Sequence, residues 1–314
     1  MNRRRFIALG LQVASAASVA SWEEHALVTH ARESNPAPPQ ARPHAALPTG
    51  RLGQLKVSRL ICGGNLISGF AHSRDLIYVS PLLKAYFTDE KVFETLSKCE
   101  SLGVNTAILR VDDDTIRIIN RYRCEFGGRI QWIAQAKATE TDLTSDARRA
   151  IDNGAVGVYL HGGVCDSFVA SGKTDLIGRV LEFVRQNGLL AGVAGHDIAV
   201  PMSCEKSGLN PDFYLKTHNA KNYWSAGPMP RHDSVWEETP EQTRAFMQTV
   251  RKPWIAYKVL GAGAIHPREG FAYAFENGAD FICVGMFDFQ VEEDVALARE
   301  AVARANARQR PWCG

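Results

Sequence analysis

Ile130-Gln-Trp-Ile-Ala-Gln-Ala-Lys137, a polar helical stretch stopped by Gly154, and then Ala155-Val-Gly-Val-Tyr-Leu-His161 form one unit of a repeating plan. Two short runs of strand-forming residues flank a longer segment of helical pattern, which is the signature of a βαβ crossover and a parallel sheet. The plan continues in both directions. Upstream, Val57-Ser-Arg-Leu-Ile-Cys62 and Val104-Asn-Thr-Ala-Ile-Leu109 read as strands. Downstream come Leu189-Leu-Ala-Gly-Val-Ala194, Asp212-Phe-Tyr-Leu-Lys-Thr217, Trp254-Ile-Ala-Tyr-Lys-Val259 and Asp280-Phe-Ile-Cys-Val-Gly285. Between them Val92, Phe93, Leu96 and Leu102 share one helical face, and Gly103, Gly154, Gly188 and Gly278 stand where helices end. Thr239-Pro240-Glu241-Gln242 reads as a capping box. Eight such units predict an α/β fold, a parallel (β/α)8 TIM barrel. An open doubly wound sheet fits less well, because no GxGxxG turn follows the first strand.

The barrel occupies residues 51–314 of the 314-residue chain, and the 45% hydrophobic content suffices for a full core. Ahead of it, Asn2-Arg-Arg-Arg-Phe-Ile7 and the diluted apolar run to Ala20 read as a twin-arginine signal peptide. Residues 21–50 are polar and proline-rich, a flexible tether. The expected partners are therefore the twin-arginine translocase and a small-molecule substrate, and the expected location is the periplasm. Export in the folded state raises the expectation of a bound cofactor. The apolar run is too short for a stable membrane span. Loss of Arg3, Arg4 and Arg5 takes the formal charge from +2 to −1, which leaves no basic excess for nucleic acid. The seven cysteines, an odd number without a CxxC pair, read as buried small hydrophobes and not as a disulfide framework.

The strand ends and first loop residues form a polar ring that includes Asn65, Arg110, Asp112, Lys137, Lys216, Lys258 and Asp288. His161, His196 and His218 end the fourth, fifth and sixth strands. Neighbouring strands lie about 4.8 Å apart, so three imidazoles pointing inward would meet on one divalent transition metal (Zn, Mn, Fe or Ni), with Asp197 as a further ligand or as acceptor for a ring N–H. Parity places Lys216 beside His218. Lysines at such positions bind an anionic or carbonyl oxygen, act as a base, or form an internal ion pair with Asp112 or Asp288. Gly261 and Gly263 lie in a turn that feeds a helix N-terminus and offers N–H groups to a cofactor phosphate. The long loops 63–88 and 218–238 carry Phe70, Tyr78, Tyr86, Tyr223, Trp224 and Trp236, for stacking on a ring or for packing on the rim.

Gly53-Gln-Leu-Lys-Val-Ser-Arg-Leu-Ile-Cys-Gly-Gly64, Leu102-Gly-Val-Asn105, Ile133-Ala-Gln-Ala-Lys137, Tyr159-Leu-His161, and Ile255-Ala-Tyr-Lys-Val-Leu-Gly-Ala-Gly263 with Val284-Gly-Met286 together resemble the aldo/keto reductases. The resemblance implies NADP-dependent carbonyl reduction by an Asp, Tyr, Lys and His set. Lys137 and His161 match the last two members. Asn105-Thr-Ala-Ile-Leu-Arg-Val-Asp-Asp113 supplies neither the Asp nor the Tyr. Phe287-Asp-Phe-Gln-Val-Glu-Glu-Asp294 lacks the basic residue that the family places near the adenosine phosphate. The polar ring and the signal point first to an exported metal-dependent isomerase, lyase or hydrolase of a small polyhydroxylated or carbonyl, sugar-like substrate. In that reading Lys137 or Lys258 is base or oxyanion partner, and Arg110 and Asp112 orient the substrate. A divergent NADP-dependent oxidoreductase is the second expectation, and a non-catalytic exported binding barrel the third.

Overall fold

The computed structural model describes residues 46–70, 76–223, 226 and 237–314. The residues read as a twin-arginine signal, 1–20, those read as a tether up to residue 45, and Trp224 and Trp236 lie outside the described residues. An antiparallel hairpin, β1 (Thr49–Leu52) and β2 (Leu55–Ser58), opens the described part. The barrel follows: β3 (Leu60–Gly63), α1 (Val79–Tyr86), α2 (Asp89–Ser101), β4 (Thr106–Arg110), α3 (Asp113–Phe126), β5 (Gln131–Ala136) and α4 (Ser145–Asp152). Next come β6 (Gly157–Leu160), α5 (Gly162–Ala170), α6 (Thr174–Gln186), β7 (Leu190–Gly195), α7 (Ala199–Lys206) and β8 (Phe213–Thr217). The chain ends with α8 (Pro240–Thr249), β9 (Trp254–Tyr257), α9 (Pro267–Glu276), β10 (Phe281–Val284) and α10 (Val291–Arg304). Strands β3 to β10 form a closed parallel barrel, sealed by β10 against β3 with Ile282 opposite Leu60.

The eight expected strands all form. The first is divided, because Arg59 breaks the run 57–62 and sends its first half into the hairpin. That hairpin plugs the lower end: Leu52 and Val57 join Ile61, Ile108, Ile133, Phe213, Leu215 and Phe281 in the barrel interior. The alternate residues, among them Trp132, Val158, Val193, Tyr214 and Trp254, face the helices in a second apolar layer. Parallel strands covered on both faces are hydrophobic at both parities, so their sequences carry no inside-outside alternation.

Helix ends follow local chemistry. The Thr88 hydroxyl accepts from the Lys91 N–H and the Asp112 carboxylate from the Thr115 N–H, which satisfies orphan donors of α2 and α3. Gly154, Gly188 and Gly278 hold φ values of +73°, +77° and +104° just before β6, β7 and β10. The predicted box at Thr239 forms differently. Its side chain makes no cap, and Glu237 accepts from the Thr239 N–H (3.3 Å) and the Thr243 hydroxyl (3.0 Å) instead.

Two sequence expectations are corrected by parity. Lys216 and His218 share the parity of Tyr214, so both project into the helix layer and not into the mouth. Lys216 Nζ donates to the carbonyls of His196 (2.7 Å) and Thr217 (2.9 Å) and to Glu237 (3.1 Å), so Glu237 is its ion partner in place of Asp112 or Asp288. The pair is buried on both sides and ties the end of the β8–α8 loop to the barrel wall. His218 is 0% exposed, with its ring 5.2 Å from Trp254 and 4.9 Å from Tyr273 of α9, and neither ring nitrogen has a hydrogen-bond partner. Burial, with the charges of Lys216 and Arg244 adding to it, pushes its pKa down to about 3.

At the lower end a charge network locks the last residues. The buried Asp280 carboxylate meets Arg308 (3.0 Å) and Arg310 (2.8 Å), and accepts from the backbone N–H of Trp254 (3.1 Å) and Cys313 (2.8 Å). Arg59 donates to the Asp280 carbonyl (2.9 Å), and its guanidinium lies 4.2 Å from the Trp312 ring, which Arg308 approaches to 3.5 Å. Asp280→Asn strands two buried guanidinium charges, and urea unfolding at pH 7 is expected to show a loss of about 3–5 kcal/mol; a loss below about 1 kcal/mol would refute the network's role. His218 binds its proton in the unfolded chain near pH 6.5 but in the fold only near pH 3, so its stabilisation is complete above 6.5 and is lost as pH falls through that window. His218→Phe is expected to flatten the stability profile between pH 4 and 6 by about 1.4 kcal/mol per pH unit, and an unchanged slope would show that the ring is already charged.

Candidate functional site

The inward parity at the upper strand ends carries Arg110, Gln135, Lys137, Tyr159, His161, His196 and Tyr257. A cavity of about 290 Å³ opens there beside β9, β10 and β3, walled by Gly63, Gly64, Tyr257, Lys258, Gly285 and Asp294 among others. His161 and His196 stand at its side, across Tyr257. Their ring centroids are 6.5 Å apart, and the His196 ring is 5.5 Å from Tyr257.

Asp166, one turn into α5, sets His196. Its carboxylate lies 2.7 Å from His196 Nδ1 and accepts from the backbone N–H groups of His196 (3.0 Å) and Asp197 (3.2 Å). A carboxylate accepting at Nδ1 fixes the proton there. Burial outweighs Asp166 and holds the His196 pKa below its ordinary value. His161 has a buried Nδ1 without a partner. Burial first, then the charges of His196 and Lys137, push its pKa down to about 4, so the ring is neutral at pH 7. Gly162 permits this packing, since a Cβ there would sit 2.7 Å from the Tyr257 hydroxyl and 2.9 Å from His196 Cε1.

Tyr257 borders the cavity while its hydroxyl is buried without a hydrogen bond of normal geometry. Burial pushes that phenol well above its ordinary pKa, and Thr217 acts in the opposite direction. Gln135 Nε2 donates to the Tyr159 hydroxyl at 2.8 Å on the opposite wall. The guanidinium of Arg110 lies 4.1 Å from the Phe70 ring, and its Nε is 2.7 Å from Asp112, so Asp112 combines a helix cap with an ion pair. Lys137 is exposed, and its backbone N–H is held by Asp146 at 2.9 Å. Lys258 adopts φ +58°, a left-handed conformation that costs a lysine about 1–2 kcal/mol. The geometry is held by its carbonyl, which accepts from Asn219 (3.2 Å) and from the Gly261 N–H (3.2 Å).

The turn with Gly261 and Gly263 is satisfied internally. The N–H groups of Gly261, Gly263, Ala264 and Ile265 donate to carbonyls of Lys258, Leu260 and Gly261. Gly261 needs its φ of +50° and its missing side chain, because the Tyr223 ring would lie 2.9 Å from a Cβ. The turn forms a wall of the cavity and not an open cradle of donors.

The expected metal centre is corrected. His218 faces the helix layer, so His161, His196 and His218 do not converge. Asp197 is exposed and accepts from the Ala199 N–H at 2.8 Å at the start of α7, while Asp166 takes the place beside the imidazole. Among the described residues no group of three or more His, Cys, Asp or Glu is arranged to hold a metal ion. Sequence reasoning missed Asp166, Tyr257 and Asp294. The first two had a signal: a carboxylate one helical turn after a strand-end histidine, and the parity of Ile255 and Tyr257.

No protein-family model and no curated protein matches the chain. Solved structures do. Two from Pseudomonas aeruginosa, both provisionally assigned as aldo-keto reductases, superpose with TM-scores of 0.58 and 0.57 at 16% identity. They cover 81% and 82% of this chain and 94% and 98% of their own. With His218 turned away from the mouth and these barrels as fold neighbours, the leading expectation of a metal-dependent isomerase, lyase or hydrolase is overturned. The chain folds as a closed parallel (β/α)8 barrel of the aldo/keto-reductase type.

Proposed function

We propose that the chain is a nicotinamide-dinucleotide-dependent oxidoreductase that interconverts a small carbonyl compound and its alcohol at the upper mouth of the barrel. The observation that carries this reading is the cavity between β9, β10 and β3, with Tyr257 at its edge and the neutral His161 beyond. Loops after the seventh and eighth barrel strands are where such barrels bind phosphates. The residues present fit the nicotinamide half of the cofactor: an aromatic ring beside glycine backbone, with Lys258 near the point where negative charge would enter. When bound, the dinucleotide supplies or takes the hydride.

The chain's own groups would do the remainder. The Tyr257 ring offers a platform whose hydroxyl is tucked under Gly162, so the face and not the phenol is presented. His161, uncharged and desolvated, gives a hydrogen bond to the substrate oxygen. Lys137, beside it and open to solvent, stabilises the developing alkoxide and delivers the proton. The site thereby does without the missing tyrosine, since an ammonium group replaces a phenol as acid. The His196–Asp166 pair fixes the wall on which Tyr257 rests. The export reading is retained as part of the proposal, with periplasmic residence after passage through the twin-arginine translocase.

Three outcomes test this. Reduced dinucleotide titrated into the protein should show enhanced fluorescence, and Lys137→Met should lower kcat for carbonyl reduction by about 10²–10⁴-fold while dinucleotide affinity stays within about two-fold; absence of dinucleotide binding would defeat the proposal. Because His161 stays neutral down to about pH 4, kcat should show no histidine inflection between pH 5 and 7, and an inflection near 6.5 removed by His161→Asn would contradict its role. Replacement of Arg3, Arg4 and Arg5 by lysine should hold the chain in the cytoplasmic fraction, and unchanged periplasmic recovery would remove the export assignment.

A further inference from the structure

We propose, resting on the oxidoreductase reading above, that the carbonyl substrate also carries a carboxylate, and that Arg110, Gln135 and Tyr159 form the row that binds it. Register sets the three side by side: Arg110 of β4 stands opposite Gln135 of β5, and Gln135 opposite Tyr159 of β6. Neighbouring strands lie about 4.8 Å apart, so these side chains span one layer of the barrel interior. All three line the cavity, on the wall across from β9 and β10. The layer beneath holds Ile108 and Ile133 and is apolar, which closes the row from below.

Arg110 is held in place before any ligand arrives. Its Nε is 2.7 Å from Asp112 Oδ2, and Asp112 Oδ1 accepts from the Thr115 N–H, so the acid is fixed at both oxygens. The Phe70 ring covers the guanidinium at 4.1 Å. Nε is enclosed, the side chain as a whole is 24% exposed, and neither Nη hydrogen-bonds to a described residue. The edge left open is therefore the one whose two parallel N–H groups match the two oxygens of a carboxylate. Beside it, the Tyr159 hydroxyl accepts from Gln135 Nε2 at 2.8 Å, which leaves its own hydrogen to be donated, and among the described residues it has no acceptor. Burial holds that phenol far above its ordinary pKa, so it keeps the hydrogen. The acid in the cavity lining, Asp294, belongs to α10, and burial pushes its pKa up to about 7, so it opposes an anion less than an ordinary carboxylate would.

Lys137 and His161 stand two residues beyond Gln135 and Tyr159, just past the ends of β5 and β6 and on the same parity. Two residues of strand rise about 6–7 Å. A substrate that bridges the two levels has its carboxylate low on the row and its carbonyl high beside the imidazole and ammonium. It therefore needs a spacer of about two or three carbons between those groups. The chemical class is a short aliphatic oxo acid, and the row fixes which end enters the barrel first.

The test is a calorimetric titration of glutarate, its neutral analogue glutaramide and inorganic phosphate into the full chain, alone and with saturating NAD⁺ or NADP⁺. Wild type is expected to bind glutarate about 10–100-fold more tightly than glutaramide, the range of a charge-assisted hydrogen bond. Arg110→Gln should abolish that preference, and Arg110→Lys, a point charge without the fork, should keep only part of it. Tyr159→Phe should weaken glutarate about 5–10-fold with the guanidinium intact, which keeps the row testable even if Arg110→Gln unfolds in a thermal melt. No preference for glutarate in either condition, a preference that survives Arg110→Gln, or phosphate bound as tightly as glutarate overturns the inference. The oxidoreductase proposal then stands wherever a dinucleotide itself binds. A glutarate preference lost in Arg110→Gln, without binding of either dinucleotide, overturns that proposal and leaves the row assigned to a carboxylate.

Discussion

Closure of the barrel assigns every strand side chain to one of two compartments, the interior with its mouth or the layer beneath the helices, and the rest of the structure depends on that assignment. A residue cannot change compartment without moving its whole strand by one register step. His161, His196 and Tyr257 are neighbours because they share the inward parity of β6, β7 and β9. Lys216 and His218 stand two and four residues beyond Tyr214 on the outward parity, a wall's thickness from the same mouth. The chemistry available to the site is therefore settled by register before side-chain reactivity enters.

Desolvation then tunes what register supplies. At the mouth it leaves His161 neutral, and on the cavity wall it makes Asp294 reluctant to ionise. In the helix layer and at the base, buried ionisable groups are met by partners: Lys216 has three acceptors, and Asp280 has two guanidiniums and two backbone donors. Breaking either arrangement would leave a buried charge exposed to the full desolvation cost. The contrast separates groups that hold the fold from groups left open for a ligand.

Much of this was legible in the sequence. Strand-forming runs separated by helical segments that stop at Gly154, Gly188 and Gly278 gave away the eight units, and the residues resembling the reductases marked Lys137 and His161. Parity within each strand was not legible. Phe213, Tyr214 and Leu215 are all bulky and apolar, because a strand buried on both faces has no polar side to betray its orientation. That is how His218 came to be read into a metal centre it does not reach. Partnerships through space were equally silent: nothing along the chain connects Asp166 to His196, or Arg310 to Asp280, until the helices are laid on the barrel. Asp294 was visible only as one of three acids at a helix start, where the macrodipole alone would explain it.

The lock at the base also bears on when the protein can fold. β3 acquires its second neighbour only when β10 has been made, and Asp280, at the foot of that strand, finds its counter-charges in Arg308 and Arg310, with the Cys313 N–H beyond them. Until those residues have cleared the ribosomal tunnel, the nascent chain carries an unsealed sheet with two open edges and an acid without counter-ions. Synthesis therefore runs past residue 313 before the native barrel becomes reachable, and until then protection of exposed strand edges falls to whatever binds the chain as it emerges.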